Sequence, residues 1–236
     1  MAAINLLYAS EYAITDQVKI RIPTVGEVLD HEDAYYTLVS LLTAMPYDMM
    51  VLLDDAGIDF TKINDYELFL LLFGELKKAD TSLIFGDLDL SGFRMMASQD
   101  SSMVFLQNDE GVVIDRRVQS QIASTLRTIH HLEKNRRKPA NDAAKGYLLQ
   151  RAREKQKRKK RAVISQLERY IVALVNAEQY KYNFRETRDL TIYQFNESLH
   201  QIIHKVEFDN RMFGVYMGTV KASELSQDDL NWLIHK

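Results

Sequence analysis

The 236-residue chain has no cysteine, which excludes disulfides, a thiolate nucleophile, cysteine-ligated zinc and iron–sulfur clusters. Proline and glycine are scarce, at three and nine residues, which argues against a turn-dense β-sandwich or barrel and favours helices. Long apolar runs are missing too. The longest, Leu68 to Phe73, falls far short of the roughly 20 residues a membrane-spanning helix needs. The stretch MAAINLLYASEYAITD has no basic residues ahead of its apolar ones, so it does not read as a signal peptide. What remains is ordinary globular composition, 46% hydrophobic and 27% charged. A chain of this size buries roughly 70% of its unfolded surface without staples. The expectation is a soluble protein of a reducing compartment.

Charge is distributed unevenly. Residues 1–115 carry six Lys/Arg against twenty Asp/Glu, whereas residues 116–161 carry sixteen against three. Within the second block, RAREKQKRKKR (residues 151–161) holds eight cations and one acid. Such a run is a solvated helix face, a mobile segment or a contact for something acidic. The acidic partner could be nucleic acid, or the acidic first third of this chain or of a second copy. No aromatic residue is interleaved to stack bases, and there is no RNP signature or zinc-finger spacing.

The pattern predicts a mainly α protein with a small antiparallel β insert at about residues 82–115. Four regions follow: an acidic helical region (1–80), the β insert (81–115), a basic helical region (116–162) and a carboxy-terminal helical region (163–236). Val18 to Ile22 alternates like a strand and ends at Pro23. Helices are expected from about His31 to Ala44, from Pro46 to a cap at Gly57, and after Asn64. There, Asn64 and Glu67 fit a reciprocal capping box, and Leu68 to Phe73 is apolar on every side. The segments SLIFGDLDLSGFRMM, SSMVFLQ and VVID read as strands, with NDEG as a hairpin turn. Asp115 should cap a helix striped by Val118, Ile122, Leu126, Ile129 and Leu132. Asp142 begins helical sequence reaching toward Glu178; its apolar stripe fades across the basic run and resumes at Val163, Leu167, Ile171, Leu174 and Val175, so the basic segment is a solvated helical stretch or a loop between two helices. Thr191 with Gln194 forms a second capping box, opening a helix striped by Ile192, Phe195, Leu199, Ile202, Val206 and Phe213. Gly214 and Gly218 signal close approach or termination, and Ser226 with Asp229 a short last helix bearing Trp232.

Motifs for chemistry are largely missing. DLDLSG (residues 87–92) starts like a calcium loop, but position 12 is Ser98 instead of the bidentate acid, so it reads as a turn. His200 and His204 share a helix face without HExxH, and a surface or structural role fits them better than metal. His130 and His131 point apart, as adjacent helical residues do. The neighbouring acids Asp54-Asp55 and Asp228-Asp229 likewise face no common substrate. With no nucleophile elbow, phosphate loop or dinucleotide fingerprint, no catalytic, cofactor or metal residue is nominated.

In order and texture, RIPTVGEVLD, AYYTLVSLLTAMPYDMMVLLDDAGIDF, NDYELFLLLF, TSLIFGDLDLSGF, VVIDRRVQSQIASTLRTIHHLEKN, FNESLHQII, DNRMFGVYMGTV and DDLNWLIHK resemble proteins of tailed bacteriophages of Gram-positive hosts. The resemblance covers most of the chain and is closest to tail assembly chaperones. It implies a non-enzymatic protein made in the host bacterial cytoplasm, binding the tape measure and tail tube components. It supplies no catalytic residues. The alternatives are a structural virion protein at a tail or baseplate joint, and a nucleic-acid-binding protein acting through the basic run. Exposure and chemistry nominate Arg151, Arg153, Lys155, Lys157, Arg158, Lys159, Lys160, Arg161 and Trp232 as partner contacts. Self-association is a further expectation, and a membrane is not.

Overall fold

The computed structural model describes residues 5–98, 103–135, 138–158 and 165–233. It is mainly helical, with two small antiparallel sheets. Strand β1 (Glu11–Ala13) pairs with β2 (Lys19–Arg21), the strand expected before Pro23. Helix α1 (Val25–Asp30) opens on a capping box between Thr24 and Glu27 that the sequence reading overlooked. Helix α2 (Glu32–Leu42) buries Tyr35, Leu38, Val39 and Leu42.

Pro46 starts a turn instead of the next helix, and α3 (Met50–Asp55) begins four residues later. The cap at Gly57 is where the sequence put it. Its φ of 72° lets the Ile58 amide reach back to the Leu53 carbonyl. Helix α4 (Asp65–Leu76) has the expected capping box: Asn64 accepts from the Tyr66 and Glu67 amides while Glu67 accepts from the Asn64 amide. It is not buried all round, because Leu71 stays 54% exposed while Leu68, Leu72 and Phe73 face inward.

The β insert starts later than the sequence suggested. Ser82–Phe85 is a short helix, α5, which drives Ile84 and Phe85 into the core and ends at Gly86 with a φ of 60°. Residues Leu90–Gly92 form a 3₁₀ turn. Strands β3 (Arg94–Ala97), β4 (Val104–Gln107) and β5 (Val113–Ile114) then make a three-stranded sheet in sequence order, with Met95 opposite Leu106 and Leu106 opposite Ile114. Asn108 and Gly111 build the β4–β5 turn as expected. The Tyr66 hydroxyl reaches the carbonyls of Val104 and Ile114, each at 3.1 Å, and ties the sheet to α4.

Helix α6 (Arg116–His130) is capped by Asp115 and buries Val118, Ile122, Leu126 and Ile129. The stripe stops there. His131 turns left-handed at the helix end, which leaves Leu132 outside it and 43% exposed. Of the two forms the sequence allowed after Asp142, the chain takes two helices, α7 (Asp142–Arg158) and α8 (Gln166–Val175). Ser165 starts a separate helix by accepting from the Glu168 amide. Val163 lies outside the described residues, whereas Leu167, Ile171 and Leu174 are buried as the stripe required.

Helix α9 (Phe184–Asp189) leads into α10 (Ile192–Tyr216), 25 residues long and opened by the Thr191–Gln194 box. Two backbone bonds of 2.8 Å, Val25 N–H to the Leu190 carbonyl and Ile192 N–H to the Pro23 carbonyl, clasp the starts of α1 and α10 together. Gly214 meets a close approach: a Cβ there would lie 2.8 Å from Val220 Cγ2. Gly218 ends the helix with a φ of 73°. The short last helix expected at Ser226 is a hydrogen-bonded turn between Ser226 and Asp229.

One large core gathers side chains from the β1–β2 hairpin, α1, α2, α4, the three-stranded sheet, α6, α8 and the first turn of α10. A second, smaller cluster joins Met50, Val51 and Leu53 of α3 to Phe60, to Leu68 and Leu72 of α4, and to Leu149 of α7.

Candidate functional site

The basic run begins on α7, and the geometry of that helix decides which of its cations are free. Lys145, Leu149 and Arg153 recur every four residues, so they share one face. That face docks on α3 and its neighbours. Leu149 is buried, the Lys145 ammonium lies 2.8 Å from Asp59 and over the Phe60 ring, and Arg153 reaches both Asp54 and Asp55. Adjacent acids that cannot face one substrate can flank one guanidinium, because its planar fork offers several donors. Its bond to Asp54 is 2.8 Å long. The Lys145 hydrogen bond, with amide and hydroxyl bonds from Thr61, holds the Asp59 carboxyl well below the usual carboxylate range.

Lys134 adds a third such link, 2.7 Å from Asp65. The middle block's charge is therefore partly met by the chain's own acidic third, one of the three partners the sequence left open. Arg151, Lys155 and Lys157 are exposed on the other faces of α7. Arg158 is the last residue of α7, and Lys159, Lys160 and Arg161 lie outside the described residues. The sequence put Arg153 with the free cations. The four-residue spacing to Lys145 through Leu149 was the available sign that it belongs to a docking face.

Trp232 belongs to a segment that folds back along α10. Its carbonyl accepts from Gln201 Nε2 at 2.8 Å, His204 Nε2 lies 2.9 Å from the Asn231 carbonyl, and Arg211 pairs with Asp229 at 2.7 Å. The Trp232 side chain remains 50% exposed. His200 goes a different way from His204: its ring lies 4.7 Å from that of His131, which is itself 3.5 Å from Glu197. Among the described residues, no three His, Asp or Glu side chains gather as metal ligands would. In DLDLSG, Asp89 accepts from the Ser91 amide.

Sequence reasoning missed a part-buried polar junction. The His130 Nε2 lies 2.9 Å from the Tyr35 hydroxyl, while Asn196 donates to the Ile129 carbonyl and approaches His130 Nδ1 at 3.4 Å. Burial, reinforced by neighbouring His131, pulls the His130 pKa down to about 4. Burial likewise raises Tyr36 to about 12. The partners are up to 161 residues apart in sequence, so no local spacing announces them.

The exposed apolar surface was also hidden from the sequence. Met95, Met96 and Met103 stand out from the sheet. Of the described residues 196–233, none is buried.

A family model described as the YomV second domain, a phage-associated family, matches residues 155–235. The match spans the end of α7, α8, α9, α10 and the returning segment, about a third of the chain. No curated protein and no solved structure matches the chain. The similarity is consistent with a phage protein. No helix of the described residues is long and apolar enough to cross a membrane.

Proposed function

We propose that the chain is a non-enzymatic bacteriophage tail assembly protein, a chaperone that binds the tape measure and tail tube components in the infected cell. The observation that carries this reading is the pairing of a phage-associated family match with an arm of binding character over the same residues. The arm is a preformed helix whose apolar side chains stand in solvent, a surface of the kind that receives another helix. The free cations Arg151, Lys155 and Lys157 add a second surface that suits an acidic partner.

Quantitative mass spectrometry of purified particles beside the infected-cell lysate tests the reading. Abundance in lysate and absence from particles supports a protein that acts during assembly and leaves. A fixed copy number per particle overturns it in favour of a structural virion protein. Co-expression with the tape measure should give a soluble complex, and failure to bind while both stay soluble also overturns the reading. Affinity for nucleic acid that falls steeply with salt, and disappears when the basic run is neutralised, would replace it with the third reading.

A further inference from the structure

Along α6, Arg116, Gln119, Ser120, Ala123 and Arg127 follow one another at steps of three and four or their sums, so they share one face. That face and the start of α4 line a cleft of about 290 Å³, to which Lys134 also contributes. Several of its polar groups are already engaged. Lys134 pairs with Asp65 at 2.7 Å, Asn64 caps α4, and Arg127 donates to the Thr43 carbonyl. The first turns of α6 differ. Among the described residues, neither the Gln119 carboxamide nor the Ser120 hydroxyl meets a hydrogen-bond partner. No carboxylate pairs with the Arg116 guanidinium, which rests 5.9 Å from the centre of the Tyr66 ring. The acid beside it, Asp115, is engaged by the Val118 amide. Gln119 is only 5% exposed. No fully enclosed polar side-chain atom of the described residues lacks a partner, so its unbonded carboxamide must open into the cleft it lines. A glutamine so placed has given up most of its water without gaining a bond inside the chain.

We infer that this cleft binds an extended acidic segment of a partner protein, with a side-chain carboxylate on the Arg116 guanidinium and an adjoining peptide group on the Gln119 carboxamide. Charge selects the first contact. The lining carries three cations, Arg116, Arg127 and Lys134, against the single acid Asp65, and Arg116 is the cation left without an oxygen partner. A guanidinium takes a carboxylate through two parallel bonds. Hydrogen-bonding capacity selects the second contact, because a carboxamide both donates and accepts. A simple anion or a phosphodiester offers acceptors only and leaves the Gln119 oxygen unmet. A peptide group presents an N–H and a carbonyl together and satisfies both atoms. Arg116 and Gln119 stand three residues apart, about 5–6 Å between their Cβ atoms, a spacing that a carboxylate and the peptide group next to it can span. The volume suits a short stretch of chain and not a domain. No residue of 155–235 takes part, so the site stands or falls independently of the phage reading.

The test adds a blocked pentapeptide of alternating glycine and aspartate to the nitrogen-15-labelled full chain. At ~1 mM it should shift the Gln119 side-chain amide resonances, identified by their loss in Gln119→Met, and the analogue with asparagine for aspartate should not. Arg116→Gln and Gln119→Met should each weaken binding at least ~10-fold. Lys78→Gln, which removes an exposed cation elsewhere, should leave it unchanged. Arg116 is exposed, so the Arg116→Gln chain should keep its melting temperature and its loss of binding is not a loss of fold. Succinate and inorganic phosphate at the same concentration separate a peptide from a simple anion, and a thymine oligonucleotide separates it from nucleic acid. Larger shifts with the acidic peptide than with any of these support the inference. No shift with the peptide overturns it, as do equal shifts with succinate or phosphate, a shift with the oligonucleotide alone, or undiminished binding to both variants.

Discussion

The Tyr35 hydroxyl lies 2.9 Å from Nε2 of His130, which joins α2 to the end of α6 at the point where α10 arrives. Around that ring stand Tyr35 and Tyr36 from α2, Asn196 from α10, and His131 on its own element. The folded protein thus holds His130 neutral, with a pKa of about 4 against an unfolded value of 6.5. Between these values the unfolded chain binds the extra proton. Stability should be complete above pH 6.5 and fall as the pH drops toward 4, by on the order of 2 kcal/mol from this group at pH 5 and about 3 kcal/mol at pH 4. Urea unfolding at pH 7.5 and 5.0 measures it, and His130→Gln should flatten the difference between the two curves.

Docking of α7 rests on one buried leucine and a few ion pairs. Leu149→Ala should cost about 2 kcal/mol of local stability by emptying the small cluster it shares with Met50, Val51 and Leu53. Arg153→Ala should cost less than the leucine change, because its pairs with Asp54 and Asp55 are part-exposed and screened by solvent. Hydrogen exchange should show faster exchange in α7 for the leucine variant, with α6 protected as before.

Helix α4 carries much of the core and depends on its cap. Removing the Asn64 side chain leaves the Tyr66 and Glu67 amides without their acceptor. Asn64→Ala should destabilise the protein by about 1 kcal/mol, read as a lower urea midpoint at unchanged slope.

Much of the fold was legible because its signals are local. Capping boxes at Asn64 and Thr191, the Asp115 cap, and left-handed glycines at 57 and 111 are each settled within a few residues. Ser82–Phe85 was misread because three apolar residues in a row carry no period, and only the core that accepts Ile84 and Phe85 decides its shape. The candidate contacts were legible as charge but not as geometry. Arg153 differs from Arg151 only in which face of α7 it occupies, and the acids it meets lie almost 100 residues away. Likewise, Val206 and Phe213 look like core in sequence, yet α10 has outrun the core when it reaches them.

The free cations should act on partners and not on folding. Changing Arg151, Lys155 and Lys157 to Gln should leave stability within about 0.5 kcal/mol per site, since all three are exposed. The same variant should elute from heparin at lower salt, because each lost cation reduces the counterions released on binding. Equal elution would place the attraction on other residues.

Gly214 sits inside α10, where an alanine would normally strengthen the helix by up to about 1 kcal/mol. Here its Cβ would meet Val220 Cγ2 at 2.8 Å, closer than carbon atoms approach. The Thr219 and Val220 amides both bond the Gly214 carbonyl, so moving Val220 disturbs the turn that sends the chain back along α10. Gly214→Ala should therefore release the returning segment, seen as faster hydrogen exchange over residues 219–233. Adding Val220→Ala removes the clash and should restore protection, with the helix gain then showing as slower exchange near residue 214. If Gly214→Ala alone leaves residues 219–233 as protected as before, the close approach at this turn does not hold the segment in place.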